Sequence, residues 1–332
     1  MIQRHSERLT HLEGFRNKSV KTILFLGGMG FIGKNLIEVF SQSGHYRCLT
    51  FNHPNFVAES SPVFQSVPIF LGDVRDGASL AKVLMENPVD ILFHLVTTTV
   101  PSSSNQNIPF DIESNLVGTV QILELAVKYG VKKVVFLSSG GTVYGIPLSN
   151  PVPETAPTNP ICSHGIVKLA AERYLHLYRH LYGLEYLVCR VSNPYGEYHY
   201  SAIQGLINVV LRKILKGEEV VIWGDGSAMR DYIFVKDVSN AILKLIEAGV
   251  ADDIVNIGSG RGTSIKEILE LIRCEIGSFV VKYQASRSFD VPEIVLDTTK
   301  LHSHISHKLI SIPEGLRRTV TWLRQPDREI QS

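Results

Sequence analysis

Six short apolar runs alternate with segments of helical periodicity over the first 193 residues: VKTILFLG from Val20, YRCLTF from Tyr46, VPIFLGD from Val67, DILFHLV from Asp90, KKVVFLSS from Lys132 and YLVCRVSN from Tyr186. Nearly continuous apolar runs of this length describe strands covered on both faces. Alternation with helices dictates a parallel sheet, because parallel neighbours need a long right-handed crossover and a helix supplies it. The periodicity predicts helices over residues 33–43, with Leu36, Ile37, Val39 and Phe40 as the apolar stripe, and over 78–87, 115–129 and 164–181. The expected fold class is therefore α/β, a doubly wound parallel sheet.

After Asn193 the texture changes. A helix over 203–216, strands in EVVIWGDG and RDYIFVKDV, a helix over 238–248, a strand in DIVNIGSG and a helix over 264–276 are expected. The last helix opens with a capping box, Ser264 with Glu267. This divides the chain into a polar tail (1–19), a first body (20–193) and a smaller C-terminal lobe (mainly 194–325), with part of the later chain free to return to the first body. Pro147, Pro151, Pro153, Pro157 and Pro160 punctuate a loop of the kind that borders sites.

At 332 residues with 44% hydrophobic content, the chain can bury a sizeable core. Its 33 Lys plus Arg against 32 Asp plus Glu leave a formal charge of +1, which gives no whole-molecule attraction for nucleic acid or anionic lipid. No apolar run reaches the ~18 residues that span a bilayer. Cys48, Cys162, Cys189 and Cys274 form no C-x-x-C pair, as expected for buried thiols in a reducing, cytoplasmic setting. His302, His304 and His307 form an H-x-H-x-x-H run, but no Cys or carboxylate cluster accompanies it and no metal site is expected.

The strongest local signal is LGGMGFIGKNL, in which Gly27, Gly30 and Gly33 follow a strand and open a helix, with Phe31 and Ile32 inside the turn. Glycine is needed there for a tight turn, for close approach of backbone to a pyrophosphate, and for helix–strand packing. The helix N-terminus then offers unpaired amides and a positive dipole end to the phosphates. The expectation is a dinucleotide site in a Rossmann-type body.

The GxxGxxG spacing ending in FIG resembles the extended short-chain dehydrogenase/reductase family, especially its nucleotide-sugar epimerases and dehydratases. The resemblance continues through GDVRD, HLVTTT, SNLVGTVQILE, LSSGGTVYG, HGIVKLAAERY, RVSNPYG, WGDGSAMRDYIFVKDV and RSFDVP. It implies cofactor contacts from Asp73, Val74, Asn115 and Lys168, and catalytic roles for Ser139, Thr142, His164 and Lys168. It further implies substrate contacts from Asn193, from Arg230 on a lobe hairpin, and from Arg287 and Asp290. The implied cofactor is NAD and the implied partner a nucleoside-diphosphate sugar of the UDP-linked kind, epimerised at C4 through a 4-keto intermediate. A homodimer through the 164–181 and 115–129 helices is implied as well, with Tyr174, Leu177, Tyr178, Leu181 and Tyr182 at helical spacing.

Three positions depart from the family pattern. The family's Y-x-x-x-K helix has His164 four residues before Lys168. A neutral imidazole can accept a proton, since histidine titrates near 6.5, but an adjacent ammonium disfavours the resulting imidazolium. From sequence, His164 stands as a working substitute, as a lesion in an epimerase-like protein, or as the mark of a binder without turnover. Gly140 occupies a position that is often Ser or Thr. The second strand ends with Phe51 and Asn52 where an NAD enzyme usually places an acid, so nothing there repels an NADP phosphate and NADP stays open.

Overall fold

The computed structural model describes residues 20–56, 61–286 and 291–325. The polar tail, Arg287 and Asp290 lie outside the described residues.

All six apolar runs form strands: β1 (Lys21–Leu26), β2 (Tyr46–Asn52), β3 (Ile69–Leu71), β4 (Ile91–His94), β5 (Lys133–Ser139) and β6 (Glu185–Val191). Between them lie α1 (Phe31–Ser43), α2 (Pro62–Gln65), α3 (Gly77–Glu86), α4 (Ile108–Asp111), α5 (Gly118–Lys128) and α6 (Ser163–Tyr182). The later chain adds β7 (Asn193–Tyr195), α7 (Leu206–Leu215), β8 (Val220–Trp223), β9 (Met229–Phe234), α8 (Val235–Glu247), β10 (Asp253–Ile257) and β11 (Gly262–Ser264). It ends with α9 (Ile265–Ile276), β12 (Val281–Gln284), β13 (Glu293–Ile294), α10 (Thr299–His304) and α11 (Ile312–Leu323).

The main sheet has seven strands in the order β10-β6-β5-β4-β1-β2-β3, and every pairing in it is parallel. The chain reverses direction of winding between β1 and β4, which opens a crevice at the carboxyl ends of these two strands. Successive residues of β1 feed opposite faces, as a period of two requires. Ile23 and Phe25 pack with Phe40, Phe93, Leu187 and Ile242, and Leu24 and Leu26 pack with Leu49, Leu92, Leu123 and Leu175. Each such fully buried side chain contributes about 1.5–3 kcal/mol.

The strand read in DIVNIGSG joins this main sheet, where Asp253 to Ile257 pair in parallel with Leu187 to Val191. Helix α8 likewise packs on α1. The lobe has its own core, in which Val210, Leu211, Val220, Ile222, Phe234, Ile268, Leu269, Ile272 and Leu316 are buried.

The hairpin expected from WGDGSAMRDYIFVKDV does not form. Strand β8 pairs in parallel with β12, while β9 pairs with β7, β11 and β13. The cause lies in the competing partners: β12 takes the edge of β8 over Val220–Trp223, and β7, β11 and β13 take β9, so neither strand pairs with the other. The capping box forms as the sequence indicates, with Glu267 N donating to Ser264 Oγ and Ser264 N to Glu267 Oε2.

Candidate active site

One cleft of about 1470 Å³ runs between the carboxyl ends of the sheet strands and the lobe. It exceeds the usual ~300–1,000 Å³ of a pocket for one drug-sized ligand. Gly27, Gly30, Phe31, Ile32, Gly33, Asp73, Val74, Ser139, Thr142, His164, Lys168, Asn193 and Arg230 all line it.

The glycine turn fits a dinucleotide. Gly27 sits at φ 77°, and a Cβ on Gly33 would lie 2.5 Å from the Gly28 carbonyl oxygen and 2.6 Å from Gly28 Cα. Helix α1 begins with no side-chain cap and no acid in its first turn, which leaves its N-terminal amides and dipole to the cleft. Asn52, at the end of β2, accepts a hydrogen bond from Met29 N at 2.8 Å and so fixes the turn. Phe51 is fully buried in the core beside Gly72. No carboxylate therefore occupies the strand end, and Asn52 serves the loop. Gly33→Ala is expected to push α1 off the turn and weaken NAD binding by at least about tenfold; isothermal titration with NAD checks this, and an unchanged affinity contradicts it.

Asp73 is ion-paired with Arg75, and the Arg75 hydrogen bond holds its carboxyl down at about 2. At the end of β5, Thr142 N donates to Ser139 O, and Thr142 Oγ1 is buried without a hydrogen-bond partner among the described residues while its residue lines the cleft. A buried hydroxyl left this way is expected to meet a ligand. Gly140 is explained by packing: a Cβ there would lie 2.5 Å from Leu296 Cδ1. Gly165 admits α6 against the same loop, since its Cβ would come within 2.8 Å of Thr142 O.

Helix α6 places His164 and Lys168 one turn apart on the face turned to β5. Both are buried. Lys168 Nζ donates to Leu137 O at 2.8 Å and lies 4.7 Å from the Phe136 ring centroid, and burial lowers it to about 8. His164 is lowered to about 4, first by burial and then by the Lys168 charge, with the nearby Asp111 charge acting in the opposite direction. The imidazole is thus neutral at neutral pH and able to accept a proton.

Asn115 does not line the large cleft. It lies in a π-helical turn, Ile112–Val117, that precedes α5, so the regular helix begins three residues later than its periodicity indicates. Its Oδ1 accepts from Thr98 N at 2.9 Å and its Nδ2 donates to Asp111 Oδ1 at 2.7 Å, which braces the segment after β4 from behind. Arg230 lines the cleft from β9 and also donates to the Met229 carbonyl.

Several features escape the sequence reading. His199 and Lys213 line the cleft from the lobe side and belong to no motif read from the chain. Beneath the site, Arg190 and Glu172 form a buried ion pair (Nη2–Oε2 2.6 Å) to which Ser138 and Tyr144 also bond. Among the described residues, no group of three or more His, Cys, Asp or Glu could hold a metal ion, and no helix is long and apolar enough to cross a membrane.

A crevice at the sheet's switch point and a glycine turn facing an open helix end have the form of a Rossmann-type dinucleotide site, and a buried histidine and lysine lie one turn apart beside it. The profile of the NAD dependent epimerase/dehydratase family matches residues 23–258, and the chain belongs to that NAD-dependent family. It is similar to a putative UDP-glucose 4-epimerase of Methanocaldococcus jannaschii, 34% identical over 92% of this chain and 99% of that one. It is also similar to a crystal structure of UDP-glucose 4-epimerase from Thermotoga maritima with UDP-glucose, at 31% identity and a TM-score of 0.86, covering 91% of this chain and 98% of that one. The Thermus thermophilus UDP-glucose 4-epimerase in complex with NAD gives 29% identity and a TM-score of 0.85, covering 92% and 99%.

Proposed function

We propose that this chain interconverts the C4 epimers of a UDP-linked sugar through a transient 4-keto sugar, with His164 as the acid-base group. One observation carries the reading: a single cleft holds the glycine turn, the His164–Lys168 pair, the buried Thr142 hydroxyl, and Asn193 and Arg230 from the lobe side. Bound NAD would be held by the 27–33 turn, Asp73, Val74 and Lys168, and supplies an acceptor, then a donor, for the hydride at the sugar carbon.

The remaining work falls to the chain. Neutral His164 takes the proton of the C4 hydroxyl and later returns it, while Thr142 Oγ1 and Ser139 Oγ hold the oxygen in line. Lys168 orients the reacting end and keeps the imidazole from holding its proton too firmly. Arg230 suits the substrate diphosphate, because a planar guanidinium meets two phosphate oxygens at once. Residues 20–193 with β10 and α8 serve as the cofactor body and the rest as the lobe over the sugar nucleotide. Elimination of water, the dehydratase alternative, needs a carboxyl acid beside the strand end, and Gly140, Gly141 and Thr142 supply none.

Adding UDP-glucose to the NAD-loaded protein is expected to produce a transient rise in the near-ultraviolet absorbance of reduced cofactor without net consumption. No rise at any substrate concentration contradicts the reading.

The reading includes a homodimer. Ile166, Leu177, Leu181 and Tyr182 are exposed apolar side chains along α6, and Phe110, Ile112 and Val117 are exposed on the neighbouring segment. Exposed apolar side chains of this extent on α6 and on the 110–117 segment beside it favour an isologous contact. Leu177→Glu combined with Leu181→Glu is expected to halve the mass measured by light scattering after gel filtration; a parent that already elutes as a monomer contradicts the dimer.

A further inference from the structure

Asp111 is a fully buried carboxylate that the motifs of the chain do not explain. It ends the short helix α4, where the π-helical turn begins. Its Oδ1 accepts from Thr99 Oγ1 at 2.6 Å and from Asn115 Nδ2 at 2.7 Å, and its Oδ2 accepts from Ser163 Oγ at 2.5 Å. All three of these partners can donate to a carboxylate. One of them, Ser163, immediately precedes His164 in the chain, so the carboxylate fixes the start of the helix that carries the ring. Asp111, Asn115, Thr119, His164 and Lys168 also face one small cavity of about 10 Å³, so carboxylate, imidazole and amine share a common space.

From this geometry we infer that Asp111 is the positioning residue of the acid-base group: it anchors Ser163, the residue before His164, and supplies the negative charge that offsets Lys168 when His164 carries a proton. The inference rests on the acid-base role proposed for His164. An imidazolium beside a buried ammonium is a like-charge pair, and a buried charge persists only when an opposite one compensates it. The other groups around the ring do not do this. The Cys162 thiol at the helix N-cap is pushed up by burial and stays neutral, and His94 at the end of β4, pushed down to about 3, stays neutral as well. Glu172, two turns along α6, is committed to Arg190. Strand β5 presents only Ser138 and Ser139 beside the site.

The test compares the parent with Asp111→Asn, which keeps the size and one of the two acceptor oxygens but loses the charge. In the NAD-loaded full chain with 15N-labelled imidazoles, and with His164→Gln to assign the signal, the parent ring should begin to protonate as the pH falls toward 4. In Asp111→Asn it should stay neutral over that range, a midpoint lower by about one pH unit or more. The acid limb of kcat/KM should move the same way with KM changed less than about threefold. Asp111→Glu, which retains the charge, should restore the parent titration. If Asp111→Asn does not fold, Asp111→Ser carries the same comparison. Coincident His164 titrations in parent and uncharged variants overturn the inference. Absence of epimerisation in the parent would instead overturn the proposed function, because the titration needs no substrate.

Discussion

His164→Ala is expected to lower kcat for C4 epimerisation by about 10²- to 10⁴-fold, the usual contribution of a positioned acid-base group. KM for the sugar nucleotide should move less than about threefold, because only an interaction made at the reacting hydroxyl is removed. The expectation follows from where the ring sits. It is buried at the first turn of α6, one turn from Lys168, and lowered to about 4, so it is in the accepting form across the neutral range. Steady-state rates with UDP-glucose and UDP-galactose measure the effect. His164→Tyr provides the complementary arm: a phenol beside Lys168 is expected to support turnover at or above the parent rate. A parent rate equal to that of His164→Ala would mean that the ring takes no part in chemistry, and the protein would then be a binder of its two nucleotides.

The second large effect is on stability. Arg190→Met is expected to destabilise the fold by about 3–5 kcal/mol, because it leaves the Glu172 carboxylate buried without its counter-charge. The pair is only 2% and 1% exposed. Around it, Ser138 Oγ donates to Glu172 at 2.5 Å, Arg190 donates to Tyr144 OH at 2.9 Å, and Tyr144 in turn donates to Asn256 at 2.7 Å. This network ties β5, β6, α6 and β10 together directly beneath the strand ends that carry Ser139 and Thr142. Replacing both partners, Arg190→Met with Glu172→Leu, should recover much of the loss, since an apolar pair leaves no charge stranded. Urea unfolding of the three chains measures this. A single substitution that leaves the midpoint unchanged would show that the pair contributes nothing to stability.

Much of the sheet and the cofactor site is legible in the sequence, because both rest on local signals. The first six strands are continuous apolar runs, and the glycine turn is punctuated by the strand before it and the helix after it. The parts that resist reading depend on distant partners. Strand β10 carries no mark that it belongs with β6, some 66 residues earlier in their register, rather than with the lobe around it. The β8–β9 segment reads as a hairpin because a Gly-Asp-Gly turn links two strands, but distant strands, β12 for β8 and β7, β11 and β13 for β9, take their edges instead. Asp111 precedes the helix expected over 115–129 and belongs to no element read from the chain; its burial comes with the π-helical turn and the approach of Ser163. Gly140 departs from a family pattern on paper, yet Leu296, more than 150 residues away, leaves no room for a Cβ there.

The central claim is that this cleft moves a sugar between its two C4 configurations. The most direct measurement is proton NMR of UDP-glucose incubated with the NAD-loaded protein. The account predicts that UDP-galactose accumulates to an equilibrium mixture, reached equally from UDP-galactose, with no loss of water from the sugar. Unchanged UDP-glucose, or a 4-keto-6-deoxy product in its place, would contradict it.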